Sequence, residues 1–297
     1  MNIDNKNKKP IGIVADEAVD LEENLINEHD ITLVRFKIDY GEMADLPGNV
    51  YEKARQGEGR GLTTTIKTSQ PSINDFLTAF KKKLEEFESI ICLTISGKLS
   101  GTFNSAVQAI KFLPAEQQPK VSVVDTLIGS SGQGLMALWV AEKIKEGSLT
   151  AEKIKENLEK IANNFKLLGA YEQLKWIEAS GRLPRLIPAA IRQAEKMKFR
   201  PIFTIRNGKL TFGSIRKITN GLADLLFQEF EKQTQGIRNS GQKIRAAISH
   251  ADNPEQAQLL KNLVNSAQRA EVVSVALASF PIGAHIGPGS LILCWQQ

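Results

Sequence analysis

Apolar positions in this chain form two kinds of run. Short unbroken stretches at residues 11–15, 90–95 and 121–124 read as strands buried on both faces. Segments with apolar positions three and four apart, at 21–28, 73–87, 102–113 and 132–145, read as helices that pack one face on a sheet. Strand followed by helix, repeated, predicts an α/β fold whose first part carries a mostly parallel sheet flanked by helices. Beyond residue 163 the pattern changes. Strands at 165–170, 244–249, 272–278 and 290–295 alternate with helices at 171–179, 185–197, 220–233 and 254–269, while Asn207-Gly208 between runs at 199–205 and 209–215 signals a hairpin. A second domain with a mixed sheet and helices is expected, with residues 1–158 and 159–297 as the two units.

The stretch from Ser89 to Ile110 organises the first unit: strand, then Ser96-Gly97-Lys98-Leu99-Ser100-Gly101-Thr102, then helix. Free backbone N–H groups and the positive end of a helix dipole at Ser100, Gly101 and Thr102 suit an anion, read here as a carboxylate. Ser72 and Asp75 have capping-box spacing, and Thr150 caps the helix that follows it, over 151–163. Thr68 lies in the extended stretch before Pro71, with its hydroxyl free to face a cleft. Residues 39–67, rich in Gly, Thr and charge, read as one long covering loop. Asp16 and Asp20 follow the first strand and are read as helix caps. Gly132 and Gly134 lack both the dinucleotide and the phosphate-loop spacing, so close helix–strand packing is their expected role. His285 opens a glycine-rich turn, where a site histidine and a structural one are equally good readings.

Composition narrows the class. Of the 297 residues 42% are hydrophobic, with a mean hydropathy of -0.20, and no apolar run is long enough to span a bilayer. The polar stretch 1–9 has no signal-sequence core, so the expected location is the cytoplasm. A net charge of +5 is spread over runs such as Lys81-Lys82-Lys83, read as solvated helix faces; nucleic acid is not an expected partner. Cys92 and Cys294 fall in predicted buried strands and are too few for a disulfide framework or a cysteine metal site. His29, His250 and His285 have no second histidine at ligand spacing, so no metal and no cofactor is expected. Ser100, Asp125 and His285 occur in the order of one hydrolase triad, but Ser100 lacks the Gly-x-Ser-x-Gly setting that exposes a nucleophile. A small serine hydrolase using Ser100 is the runner-up, beside a binder of some other apolar carboxylate or lipid.

Several motifs together carry a resemblance. They are Thr68-Ser69-Gln70-Pro71-Ser72, Lys98-Leu99-Ser100-Gly101-Thr102 with Ser105-Ala106, Asp125-Thr126 with Gly132 and Gly134, Ser180-Gly181-Arg182, Arg200-Pro201-Ile202 and His285-Ile286-Gly287-Pro288-Gly289. In this order the chain resembles the DegV family over almost its whole length. The resemblance implies two α/β domains with a long-chain fatty acid in a tunnel between them, its carboxylate bonded by Thr68 and Ser100. Gly101 and Thr102, through backbone N–H groups, and His285 and Arg182 are further donors. It also implies a lipid-binding subunit without catalytic residues, which presents the carboxylate to a separate fatty acid kinase. That partner makes the acyl phosphate used in phospholipid synthesis. Arg182, Arg206 and Arg216 are candidate contacts for the kinase.

Overall fold

Strand β1 (Lys9–Asp16) is buried from Ile11 onward, and it takes parallel neighbours on both sides. β2 (Ile31–Val34) pairs on one edge and β5 (Phe87–Thr94) on the other, with β6 (Val121–Asp125) beyond, giving a four-stranded all-parallel sheet in the order β2-β1-β5-β6. The computed structural model describes residues 8–62, 66–183, 193 and 197–297; the helix expected at 185–197 falls almost wholly outside them. Helices α1 (Glu23–Glu28), α3 (Ile73–Glu86) and α4 (Thr102–Ile110) connect these strands. Ser72 and Asp75 form the expected capping box at α3, and Thr150 caps α6 (Ala151–Ile161) through the Lys153 N–H. Lys83, expected on a solvated face, is 4% exposed; its ammonium bonds the carbonyl and carboxylate of Asp30 at 2.6 and 2.8 Å.

The segment expected as one loop holds a helix and is flanked by two short strands. Residues 31–38 break at Arg35-Phe36, so that β3 (Lys37–Asp39) leaves the main sheet and pairs antiparallel with β4 (Lys67–Ser69). Between them lies α2 (Val50–Gly59), started by a capping box of Asn49 and Glu52. This helix reaches across to later elements: the Tyr51 hydroxyl donates to Ala278 O, Arg55 pairs with Asp252, and Glu58 accepts from Trp176 Nε1 and pairs with Lys175.

The second sheet is mixed, as expected. β7 (Phe165–Ala170), the hairpin β8 (Phe199–Arg206) and β9 (Lys209–Lys217), β10 (Ile244–His250), β11 (Ala270–Leu277) and β12 (Leu291–Gln296) stand in the order β11-β10-β12-β7-β8-β9. Only the β10–β11 pair is parallel. Alternation assigns the faces. Leu168, Ile202, Leu293 and Trp295 turn toward α8 (Leu222–Asn239) and α9 (Pro254–Ser266), while Leu167, Phe203, Ile292 and Cys294 face the first sheet. Between the sheets runs α5 (Ser131–Glu146), buried around much of its circumference because it has apolar or small residues on every side. Gly132 and Gly134 are the close approaches expected of them: a Cβ would strike Ile128 and Cys294 at one, and Leu21 and the Asp20 carbonyl at the other. The largest apolar cluster accordingly draws on both halves of the chain.

Candidate functional site

Asp16 and Asp20 do not cap α1, whose N-cap is Glu22. Asp16 sits at the end of β1 and accepts from Ile95 N at 2.6 Å and Ala18 N at 2.9 Å, tying β1 to the loop after β5; burial pushes its carboxyl up to about 7. Asp20 accepts from the Ser130 hydroxyl and from Ser279 N, joining the two halves, and burial raises its pKa too. Their partners Ala18, Ile95 and Ser130 line a cavity that opens between the sheets.

That cavity holds about 70 Å³, with Ile95, Leu99, Leu167, Ile177, Ile205 and Leu210 on its apolar wall. At one end four polar side chains arrive from four separate elements: Thr68 from β4, Ser100 from the loop before α4, Arg182 after α7 (Leu174–Ala179), and His285 from α10 (Phe280–Ile286). His285 therefore rides on a helix, where a turn was expected. The Gly287 that follows has a φ of 73° and no room for a side chain against Trp176. Beyond this polar end lies an open cleft of about 600 Å³, edged by Lys67, Lys98 and Trp176.

Donor and acceptor roles follow from the partners. Arg182 donates from Nε to Leu99 O at 3.1 Å and from Nη1 to His285 Nδ1 at 3.0 Å. A guanidinium has no lone pair to offer, so Nδ1 must accept and the imidazole proton sits on Nε2. Nε2 then donates to Thr68 Oγ1, 2.7 Å away, and the Thr68 O–H is left to turn into the cavity. Burial and the Arg182 charge bring the His285 pKa down to about 3, so the ring stays neutral near pH 7 and this direction of donation is fixed. Ser100 Oγ lies 2.7 Å from Thr102 Oγ1; with the buried Thr102 as donor, the Ser100 O–H is also free for the cavity. Two hydroxyl donors at the closed end of an apolar pocket match one anionic oxygen group.

Of the residues singled out from sequence, Thr68, Ser100, Arg182 and His285 share this wall, whereas Gly101 and Thr102 stand behind Ser100. Gly101 is the N-cap of α4 and accepts from Ser105 N; a methyl group on it would run into the Gln70 amide. Thr102 is fully buried. The hydrolase triad is not assembled: both His285 nitrogens are engaged by Thr68 and Arg182, and Asp125 accepts from Gly97 N and Leu127 N. Arg216 is paired with Glu229 at 2.8 Å, and Arg206 lies beside a different cavity, with Asn163 and Lys166. Among the described residues no group of three or more His, Cys, Asp or Glu side chains could hold a metal ion, and no helix is long and apolar enough to cross a membrane. Sequence reading missed Tyr171 and Ile177 on the wall, and it missed α2, although Asn49-x-x-Glu52 has capping-box spacing.

Comparison with known proteins agrees with the two-sheet α/β fold. A curated relative, a DegV domain-containing protein of Staphylococcus aureus, is 26% identical over 286 residues, covering 94% of this chain and 96% of that one. A fatty acid-binding protein of Thermotoga maritima is also 26% identical, covering 95% and 96%. Among solved structures, a DegV family protein from Thermus thermophilus, described for its fatty acid binding, superposes with a TM-score of 0.81 at 23% identity over 97% of this chain and 99% of its own. A stearic acid-binding protein from Eubacterium ventriosum also gives 0.81, at 21% identity over 97% and 98%. The model of the DegV family, described as uncharacterised protein, matches residues 10–297, and the chain belongs to that family.

Proposed function

We propose that this protein binds a long-chain fatty acid between its two halves, tail against the apolar wall and carboxylate at Thr68 and Ser100. Gly101 and Thr102 support Ser100 from behind, and Arg182 and His285 set the donor direction of Thr68. The observation that carries this reading is the amphipathic cavity: an apolar enclosure with the hydroxyls of Thr68 and Ser100 at one end. Relatives that bind fatty acids support it. Burying a chain of about sixteen carbons contributes on the order of 10 kcal/mol before the entropy of association is subtracted. The tail supplies affinity and the head group supplies orientation. A cavity of about 70 Å³ has room for about two waters, so loading requires wall side chains to turn aside.

The open cleft on the far side of Thr68 leaves the carboxylate end reachable by a second protein. In our reading that partner is a fatty acid kinase, which phosphorylates the presented carboxylate to an acyl phosphate for phospholipid synthesis in the cytoplasm. In this reading the phosphotransfer groups belong to the kinase. Native mass spectrometry of the purified protein, followed by solvent extraction, tests the first part; a stoichiometric fatty acid is expected. A protein that is empty and refuses added fatty acids would overturn the reading. Incubation with ATP should yield acyl phosphate only when a kinase subunit is added, and acyl phosphate formed by this chain alone would overturn the second part.

A further inference from the structure

Six polar side chains stand on the wall of the apolar cavity, and five of them have partners: Thr68, Ser100, Arg182 and His285 as described, and Ser130 with Asp20 and Ser249. The sixth is Tyr171. Its side chain is 2% exposed, and among the described residues its hydroxyl makes no hydrogen bond. Sequence and packing fix its place. Leu167, Gly169 and Tyr171 share one face of β7 and its extension, and the Tyr171 ring stacks on Phe203 of β8, centroids 5.2 Å apart and planes at 18°. The ring folds back over Gly169, where a Cβ would come within 2.7 Å of the phenol oxygen. Glycine at that position leaves the room the hydroxyl occupies.

A phenylalanine would stack on Phe203 equally well, so the ring alone does not call for the hydroxyl, which stands on the cavity wall. An all-methylene chain laid along this wall would cover the hydroxyl and leave it without a partner, which is unfavourable. A chain bearing an oxygen opposite the ring would accept its proton. We infer that Tyr171 is a specificity-determining residue, and that the preferred ligand is an oxygenated long-chain acid, with a hydroxyl or oxo group part-way along the tail. The inference rests on the fatty-acid reading and narrows it. A pocket built to hydrogen-bond a substrate oxygen discriminates strongly against the analogue that lacks it.

The test is a competition series on the full chain, displacing a fluorescent fatty acid with stearic acid, its positional hydroxy isomers from the middle of the chain, and oleic acid. We expect one hydroxy isomer to bind about tenfold tighter than stearic acid, and Tyr171→Phe to abolish that preference. Equal binding of all isomers, or a preference that survives in Tyr171→Phe, would overturn the inference and leave fatty-acid binding standing. A Tyr171-dependent preference for oleic acid over every hydroxy isomer would overturn the oxygenated ligand. Binding of none of these acids would overturn both readings. Tyr171→Trp, whose ring also stacks but whose N–H points elsewhere, should behave as Tyr171→Phe if it folds.

Discussion

Replacing Thr68 by valine preserves the shape of the side chain and removes the one hydroxyl that both accepts from His285 and donates into the cavity. In the free protein the loss is a single neutral hydrogen bond on a half-buried strand, costing about 1 kcal/mol, so cooperative unfolding should persist. With a carboxylate bound, the loss is larger. A hydrogen bond to a charged group is worth about 1.5–3 kcal/mol, and the His285 Nε2–H loses its acceptor at the same time. Affinity for palmitic acid should therefore fall by about 10- to 150-fold. Palmityl alcohol, which carries the same tail and no charge, should lose about tenfold or less. Isothermal titration of both ligands against wild type and Thr68→Val separates head-group recognition from tail burial. If palmitic acid binds the variant as tightly as wild type, or if acid and alcohol weaken by the same factor, Thr68 does not hold the carboxylate.

Other outcomes follow from single features. His285 titrates at about 3 in the fold against 6.5 ordinarily, so the unfolded chain takes up the proton first. Its contribution to stability is lost as pH falls from about 6.5 toward 3, amounting to about 2 kcal/mol by pH 5. Urea unfolding at about pH 7 and 5 should show the gap between wild type and His285→Gln shift by that amount in favour of the variant. Asp16 acts in the opposite sense: with its pKa raised from 3.8 to about 7, it favours the fold at low pH and progressively less as pH rises to 7. Gly169→Ala should lower stability by about 1–3 kcal/mol, because the new methyl must push Tyr171 from Phe203; an unchanged melting temperature would refute that packing. Asn49→Ala should cost about 1 kcal/mol by removing the cap of α2, whereas Arg55→Ala, at an exposed pair, should cost less than about 1. A fluorophosphonate probe should leave Ser100 unlabelled.

Local rules read well wherever the element is held by its own residues. The strands at Ile11, Ile90 and Val121, the Asn207-Gly208 hairpin and the caps at Ser72 and Thr150 are short-range features, and each is found where its residues place it. Elements held by distant partners were not legible. α2 depends on Ala278, Asp252 and Trp176 for its place, and Lys83 is buried only because Asp30 and Phe87 meet it. Thr68 and Ser100 were recognisable from their motifs, whereas Tyr171 belongs to no motif; only its ring on Phe203 and the gap at Gly169 mark it. Asp16 and Asp20 resemble caps in sequence and prove to be joints. The division of the chain at residues 158 and 159 stays a proposal, and separate expression of the two fragments, alone and mixed, would test it.

The order of strands in the second sheet also bears on synthesis. β12 leaves the ribosome after β7, β8, β9, β10 and β11, yet it takes the place between β7 and β10. Until it arrives, the nascent sheet is two separate pieces with a vacant slot, and each bordering strand shows an unsatisfied edge. Ile292, part of the cavity wall, arrives with it. One strand thus joins the two pieces of the second sheet and completes that side of the cavity wall.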